Sequence, residues 1–103
     1  LTVEEEARFR SQTPNWDLRD DGRRIERAFR FRNFQEALGF VGEVGGLAET
    51  EGHHPDISFG WGYATVSLRT KKIKGLHEND FIMASKIDRL FDRLTSPRDP
   101  RGA

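Results

Sequence analysis

The sequence predicts an α+β domain: a four-stranded antiparallel sheet with three helices on one face, in the order α-β-β-α-β-β-α. Three observations predict it. Two stretches, Arg24 to Phe31 and Ala64 to Thr70, alternate with the period of two that belongs to half-buried strands. Each comes after a shorter strand-like run and a Gly-containing turn, so the strands form hairpins and pair antiparallel. Three stretches of helical period open, divide and close the chain.

Thr2 with Glu5 three positions later is a capping-box signature, which predicts a short helix to about Gln12; Thr13-Pro14-Asn15 ends it. Trp16-Asp17-Leu18 is the first strand and Asp20-Asp21-Gly22 its turn. In the second strand Ile25, Phe29 and Phe31 share one face, with Arg24, Glu26 and Arg30 on the other.

Asn33 and Glu36 read as N-cap and N3 of the central helix. Phe34, Ala37, Leu38, Val41, Gly45 and Ala48 then recur at helical spacing, and Phe40, Val44 and Leu47 form a second stripe. One stripe is expected to face the sheet. The other is either a subunit interface or a widening of the same core face. Gly42, Gly45 and Gly46 each weaken this helix by up to about 1 kcal/mol relative to Ala, which close approach of another backbone would explain.

Ile57 to Phe59 is a brief strand, and Gly60-Trp61-Gly62 turns it into the next. There Ala64, Val66, Leu68 and Thr70 suit a core, while Tyr63, Thr65, Ser67 and Arg69 suit an accessible face, with Lys71 in phase with them. Lys72 to Leu76 leads to the last helix, with Asp80 near its first turn and Met83, Ala84, Ile87, Leu90, Phe91 and Leu94 as its buried stripe. Residues 1–96 are expected to form one domain and 97–103 a tail, which Ser96-Pro97 begins.

The totals narrow the function classes. The 103 residues suffice for one core, and 35% hydrophobic against 33% charged makes that core modest, so oligomerisation would add burial. Seventeen basic residues balance seventeen acidic ones, which argues against a general nucleic-acid or membrane-surface binder. Cysteine is absent, excluding disulfide and thiolate chemistry and agreeing with a reducing cytoplasm. No apolar run approaches about 18 residues, and no signal-peptide pattern opens the chain. It starts at Leu1 rather than Met, so a few native residues are expected to be missing.

The chemistry concentrates in Glu49-Thr50-Glu51-Gly52-His53-His54-Pro55-Asp56. Gly52 stops the helix and Pro55 stiffens the chain beyond it. Two imidazoles at a rigid junction suit proton transfer near neutrality, where histidine ordinarily titrates. Glu49, His53 and His77 could be drawn together as metal ligands. Adjacent His53 and His54 should diverge, however, and no HExxH pattern or Cys supports them, so no metal is assigned. Ser58, Ser67 and Ser85 stand outside any nucleophile elbow, and the Gly-rich segments match neither a P-loop nor a dinucleotide fingerprint. A fourth reading is acid–base work on a flat, uncharged heterocycle, with Phe59, Trp61 and Tyr63 nearby in sequence, although aromatics at such places more often belong to a core.

The same run resembles the pterin-4a-carbinolamine dehydratases. Their signature is an acidic residue, three positions, His-His-Pro, five or six positions, an aromatic, nine positions, a His or Trp, and later an Asp. Glu49, His53-His54-Pro55, Trp61 and Asp80 match it, and the likeness runs from the opening helix and Pro14-Asn15-Trp16 through the last helix, essentially the whole chain. Lys71 departs, standing where the signature has His or Trp.

The resemblance implies dehydration of 4a-hydroxytetrahydropterin to quinonoid dihydropterin, regenerating the pterin after aromatic amino-acid hydroxylation. It needs no cofactor or metal beyond the pterin substrate. It further implies His53 as principal acid/base, His54 as its helper, Glu49 or Asp80 as supporting carboxylates, Trp61 as an apolar wall and a cytoplasmic homodimer or homotetramer. Lys71 would be a proton donor or anchor, or a solvated strand-end residue. His77, three before Asp80, reads as a helix N-cap rather than a substitute imidazole. Relatives that serve as a transcription-factor dimerisation partner or an assembly factor imply the alternative: a binding protein on the same fold.

Overall fold

The computed structural model describes residues 2–70 and 76–95. Lys71, most of the Lys72–Leu76 connection, the domain end at Ser96 and the 97–103 tail lie outside the described residues. The elements are α1 (Val3–Gln12), β1 (Asp17–Arg19), β2 (Arg24–Arg30), α2 (Phe34–Glu51), β3 (Asp56–Gly60), β4 (Tyr63–Leu68) and α3 (Glu78–Thr95), the predicted order with ends displaced by a residue or two. All strand pairs are antiparallel, and the sheet order is β1-β2-β4-β3. The two hairpins therefore meet through their longer strands, and β1 and β3 form the edges.

Local chemistry sets the ends of the elements. Thr2 and Glu5 close a reciprocal capping box at α1, and the Thr2 backbone N–H holds the Glu5 carboxyl below its usual range. Asp20 and Asp21 take positive φ of 54° and 55° in the first hairpin turn, a region that aspartate tolerates better than most side chains. Asn33 caps α2 by accepting the Glu36 N–H at 2.9 Å. At its far end Gly52 takes φ 66°, where a Cβ would strain, and releases the chain toward His53.

The core lies between the sheet and α2 with α3. Phe29 of β2 is its hub: its ring lies 4.7 Å from Phe40, 4.9 Å from Phe91 and 5.9 Å from Trp16. α1 buries no residue fully and is held to α3 by Phe9 stacked on Phe81 at 5.6 Å.

The two stripes expected on α2 are redistributed. Ala37, Phe40, Val44 and Ala48 form the buried face, because steps of three, four and four residues keep them on one side of a 3.6-residue helix. Phe40 is only 1% exposed, so it belongs to the core and does not form a subunit interface. The outward apolar residues are Phe34 and Leu38, with Phe34 leaning on Phe59 at 5.7 Å. Nothing approaches a Cβ placed on Gly42, Gly45 or Gly46 within 4 Å, so among the described residues no backbone packs against them.

The sequence pattern also conceals a charge on the core face of β2. Arg27 lies between Ile25 and Phe29, its guanidinium 4.4 Å from the Phe29 centroid and 2.6 Å from Asp88 Oδ1. The same carboxylate oxygen accepts the Trp16 indole N–H at 2.8 Å. One α3 aspartate thus satisfies two largely buried donors from the sheet layer. Asp88→Ala leaves both unpaired and is expected to cost about 3 kcal/mol in urea unfolding. Asp88→Asn, which still offers an acceptor, should lose clearly less.

Candidate active site

His53 and His54 are positioned by the end of α2. The backbone N–H groups of Gly52 and His53 both return to the Ala48 carbonyl, the latter at 3.2 Å, which wraps the last turn tightly. Pro55 restricts His54 to extended backbone, and β3 begins at the next residue. The two imidazoles therefore leave a rigid joint between a helix and an edge strand, and they diverge.

His53 points inward. Its Nε2 lies 2.6 Å from Oδ1 of Asp80, whose side chain is completely buried. The other oxygen of Asp80, Oδ2, accepts the Thr70 hydroxyl at 2.8 Å and the His77 backbone N–H at 2.9 Å. His77 Nδ1 accepts the Asn79 N–H at 3.1 Å, so the His77 side chain caps the start of α3 while Asp80 satisfies the His77 backbone N–H. His77 is thus the N-cap that its spacing predicts. The carboxylate also sits in the first turn of α3, where the helix dipole favours negative charge.

A carboxylate only accepts, so His53 donates through Nε2–H and its Nδ1 is the nitrogen left for chemistry. Among the described residues Nδ1 has no hydrogen-bond partner.

His54 points outward. Its Nε2 pairs with the Glu49 carboxylate one helical turn back on α2, and both side chains are mostly exposed. The two carboxylates left open as alternative supports are therefore divided between the histidines, Asp80 to His53 and Glu49 to His54.

Trp61 is not brought to this cluster. It lies in the β3–β4 turn, at the opposite end of β3 from Pro55, about 15 Å along the strand, and it is 72% exposed. Pro55 is half-buried at the head of β3. Thr70, which sequence reasoning assigned only to the core-facing set, is the site residue it missed; its position one before Lys71 was the available signal. Neither histidine lines the 460 Å³ groove between α2 and α3, which is walled by residues such as Glu43, Leu47, Lys86 and Arg89.

In this small α+β protein a buried aspartate orients one imidazole, beside a second imidazole paired with an exposed glutamate. The family model described as pterin 4 alpha carbinolamine dehydratase matches residues 1–90, and the chain belongs to that family. A relative from Azoarcus sp., provisionally named a pterin-4-alpha-carbinolamine dehydratase, is 64% identical over 90 residues, 87% of this chain and 77% of its own. One from Methylococcus capsulatus with the same provisional name is 56% identical over 90 residues, 87% of this chain and 79% of its own.

A crystal structure from Brucella melitensis, described as a transcriptional coactivator/pterin dehydratase, superposes with a TM-score of 0.80 at 30% identity. The match covers 87% of this chain and 96% of that one. A pterin dehydratase-like protein described as a RuBisCO assembly factor in the alpha-carboxysome matches at TM-score 0.66 and 23% identity, over 75% and 89% of the two chains. That likeness speaks to the fold alone.

The two carboxylates differ in what their removal should do to the fold. Asp80→Ala strips a buried acceptor from Thr70, His77 and His53 and uncaps α3, and is expected to cost about 2–3 kcal/mol in urea unfolding. Glu49→Ala, on the surface, should change stability by less than about 0.5 kcal/mol.

Proposed function

We propose that the chain is a hydro-lyase that converts 4a-hydroxytetrahydropterin to quinonoid dihydropterin and water. The observation that carries this reading is His53, held by a buried aspartate at 2.6 Å with its other ring nitrogen unpartnered among the described residues. The reaction breaks the C4a–O bond. The departing hydroxyl takes a proton and leaves as water, the N5 lone pair forms the C4a=N5 bond, and N5 gives up its hydrogen.

His53 is the principal acid/base group, transferring through Nδ1 while Asp80 stabilises and orients the ring through Nε2. His54, backed by Glu49, holds the pterin or takes part in the second proton movement. Lys71 serves as a proton donor or a positive anchor for the departing oxygen, since a lysine of ordinary pKa, about 10.4, gives a proton at pH 7 but does not readily take one. The step as proposed uses no metal and no resident cofactor, and the pterin is the substrate. Its product is the form that a reductase returns to tetrahydropterin for aromatic amino-acid hydroxylation. The proposed setting is the cytoplasm; no helix among the described residues is long and apolar enough to cross a membrane.

A second reading is a binding or assembly role on the same fold. It draws support from the outward Phe34 and Leu38 beside unopposed glycines on α2. A homodimer or homotetramer would cover the same residues. Leu38→Glu tests this where Phe40→Glu would only break the core: light scattering should report a smaller particle than wild type, and an unchanged mass counts against the surface. A stoichiometric protein partner in a pull-down, without pterin turnover, would favour the second reading.

Stopped-flow measurement on chemically prepared 4a-hydroxytetrahydropterin is the direct test. His53→Ala is expected to lower kcat by at least about 100-fold with the fold retained. Lys71→His is expected to raise it, because an imidazole both takes and gives protons near neutrality. Wild-type turnover no faster than the spontaneous reaction would overturn the assignment.

A further inference from the structure

Thr70 takes no part in the proton transfer proposed for His53, yet it is one of three groups on the buried Asp80 carboxylate. The two donors on Oδ2 differ in kind. The His77 N–H, at 2.9 Å, comes from three residues earlier in the same helix cap, so it travels with Asp80 wherever α3 goes. The Thr70 hydroxyl, at 2.8 Å, comes from the chain just beyond β4, ten residues away. Among the described residues it is, apart from His53 itself, the side chain that ties this carboxylate to the sheet layer.

The torsion that turns a carboxylate is broad and roughly two-fold, so one donor on one oxygen does not hold its plane well. A second donor from a different layer does. Thr70 is also β-branched, which limits the positions its hydroxyl can occupy.

We propose that Thr70 is a positioning residue: its hydroxyl fixes Asp80 so that Oδ1 is presented to His53 Nε2 and the orientation of the ring, with its Nδ1, is held. Asp80 cannot swing without breaking the Thr70 bond, and His53 cannot tilt without losing its shortest contact. The kinetic consequence rests on the dehydratase reading, whereas the geometry does not.

The test compares Thr70→Val, which keeps shape and removes the hydroxyl, with Thr70→Ser, which keeps the hydroxyl. With 4a-hydroxytetrahydropterin, Thr70→Val is expected to lower kcat about tenfold with KM changed less than about twofold, and Thr70→Ser to recover most of the loss. In parallel, ¹⁵N NMR should show the His53 ring nitrogens displaced in Thr70→Val and returned toward wild type in Thr70→Ser. Wild-type kcat and ring shifts in Thr70→Val would overturn the proposal. So would a Thr70→Ser protein as impaired as Thr70→Val, since that makes the methyl group the part that matters.

If the wild type does not accelerate dehydration, the function reading fails and the NMR comparison alone decides the role of Thr70. If Thr70→Val does not fold, the wild-type Thr70 hydroxyl proton decides: slow exchange with water supports the bond to Asp80, and rapid exchange overturns it.

Discussion

A carboxylate without contact with water is costly unless both of its oxygens find donors, and Asp80 has three: one on Oδ1 and two on Oδ2. Each donor comes from a different piece of the fold: the exit of α2, the end of β4 and the cap of α3. The helix end that delivers His53, the sheet and the last helix therefore have to agree in position before the charge can be buried. Once they agree, His53 is oriented as a by-product of satisfying Asp80. The local cap and the site are the same set of bonds, so loosening one loosens the other.

The adjacent histidines stand in different environments. His53 is largely covered and bonded to a buried partner, in surroundings where a hydrogen bond is strong and its geometry is held. His54 and Glu49 are largely exposed, so their attraction is screened by water and contributes little to stability. Pro55 and Gly52 make this difference possible by turning the chain between them so sharply that neighbouring side chains face opposite ways.

Away from the site the same economy recurs in Asp88, which gathers Arg27 and the Trp16 indole onto α3. Arg27 stacks over Phe29 and Phe91 while its charge is met by Asp88, so an arginine occupies a core-facing position of β2 without leaving a bare charge. This pins α3 at its middle, as the His77–Asp80 cap pins it at its start. Both contacts hold the helix that carries Asp80 in register with the sheet.

The order of elements, the hairpins, the caps at Thr2, Asn33 and His77 and the stop at Gly52 were legible from residue types and spacing, because each is decided within a few residues. The candidate residues His53, His54, Glu49 and Asp80 were legible too, through their spacing. Which carboxylate serves which histidine was not: Asp80 is 27 residues from His53 and reaches it only when α3 docks on the sheet. Docking also decided which stripe of α2 is buried. Phe40 and Leu38 have similar hydrophobicity, and only the position of the sheet relative to the helix distinguishes them. Trp61 matched the family spacing, yet an extended strand carries it away from the histidines. Thr70 was marked only by its place one before Lys71, since a threonine in an alternating strand reads the same whether its hydroxyl is idle or holds a buried aspartate. Residue identity and local spacing thus specified the groups and the joints, whereas the pairing of distant side chains arose from burial, which no local pattern encodes.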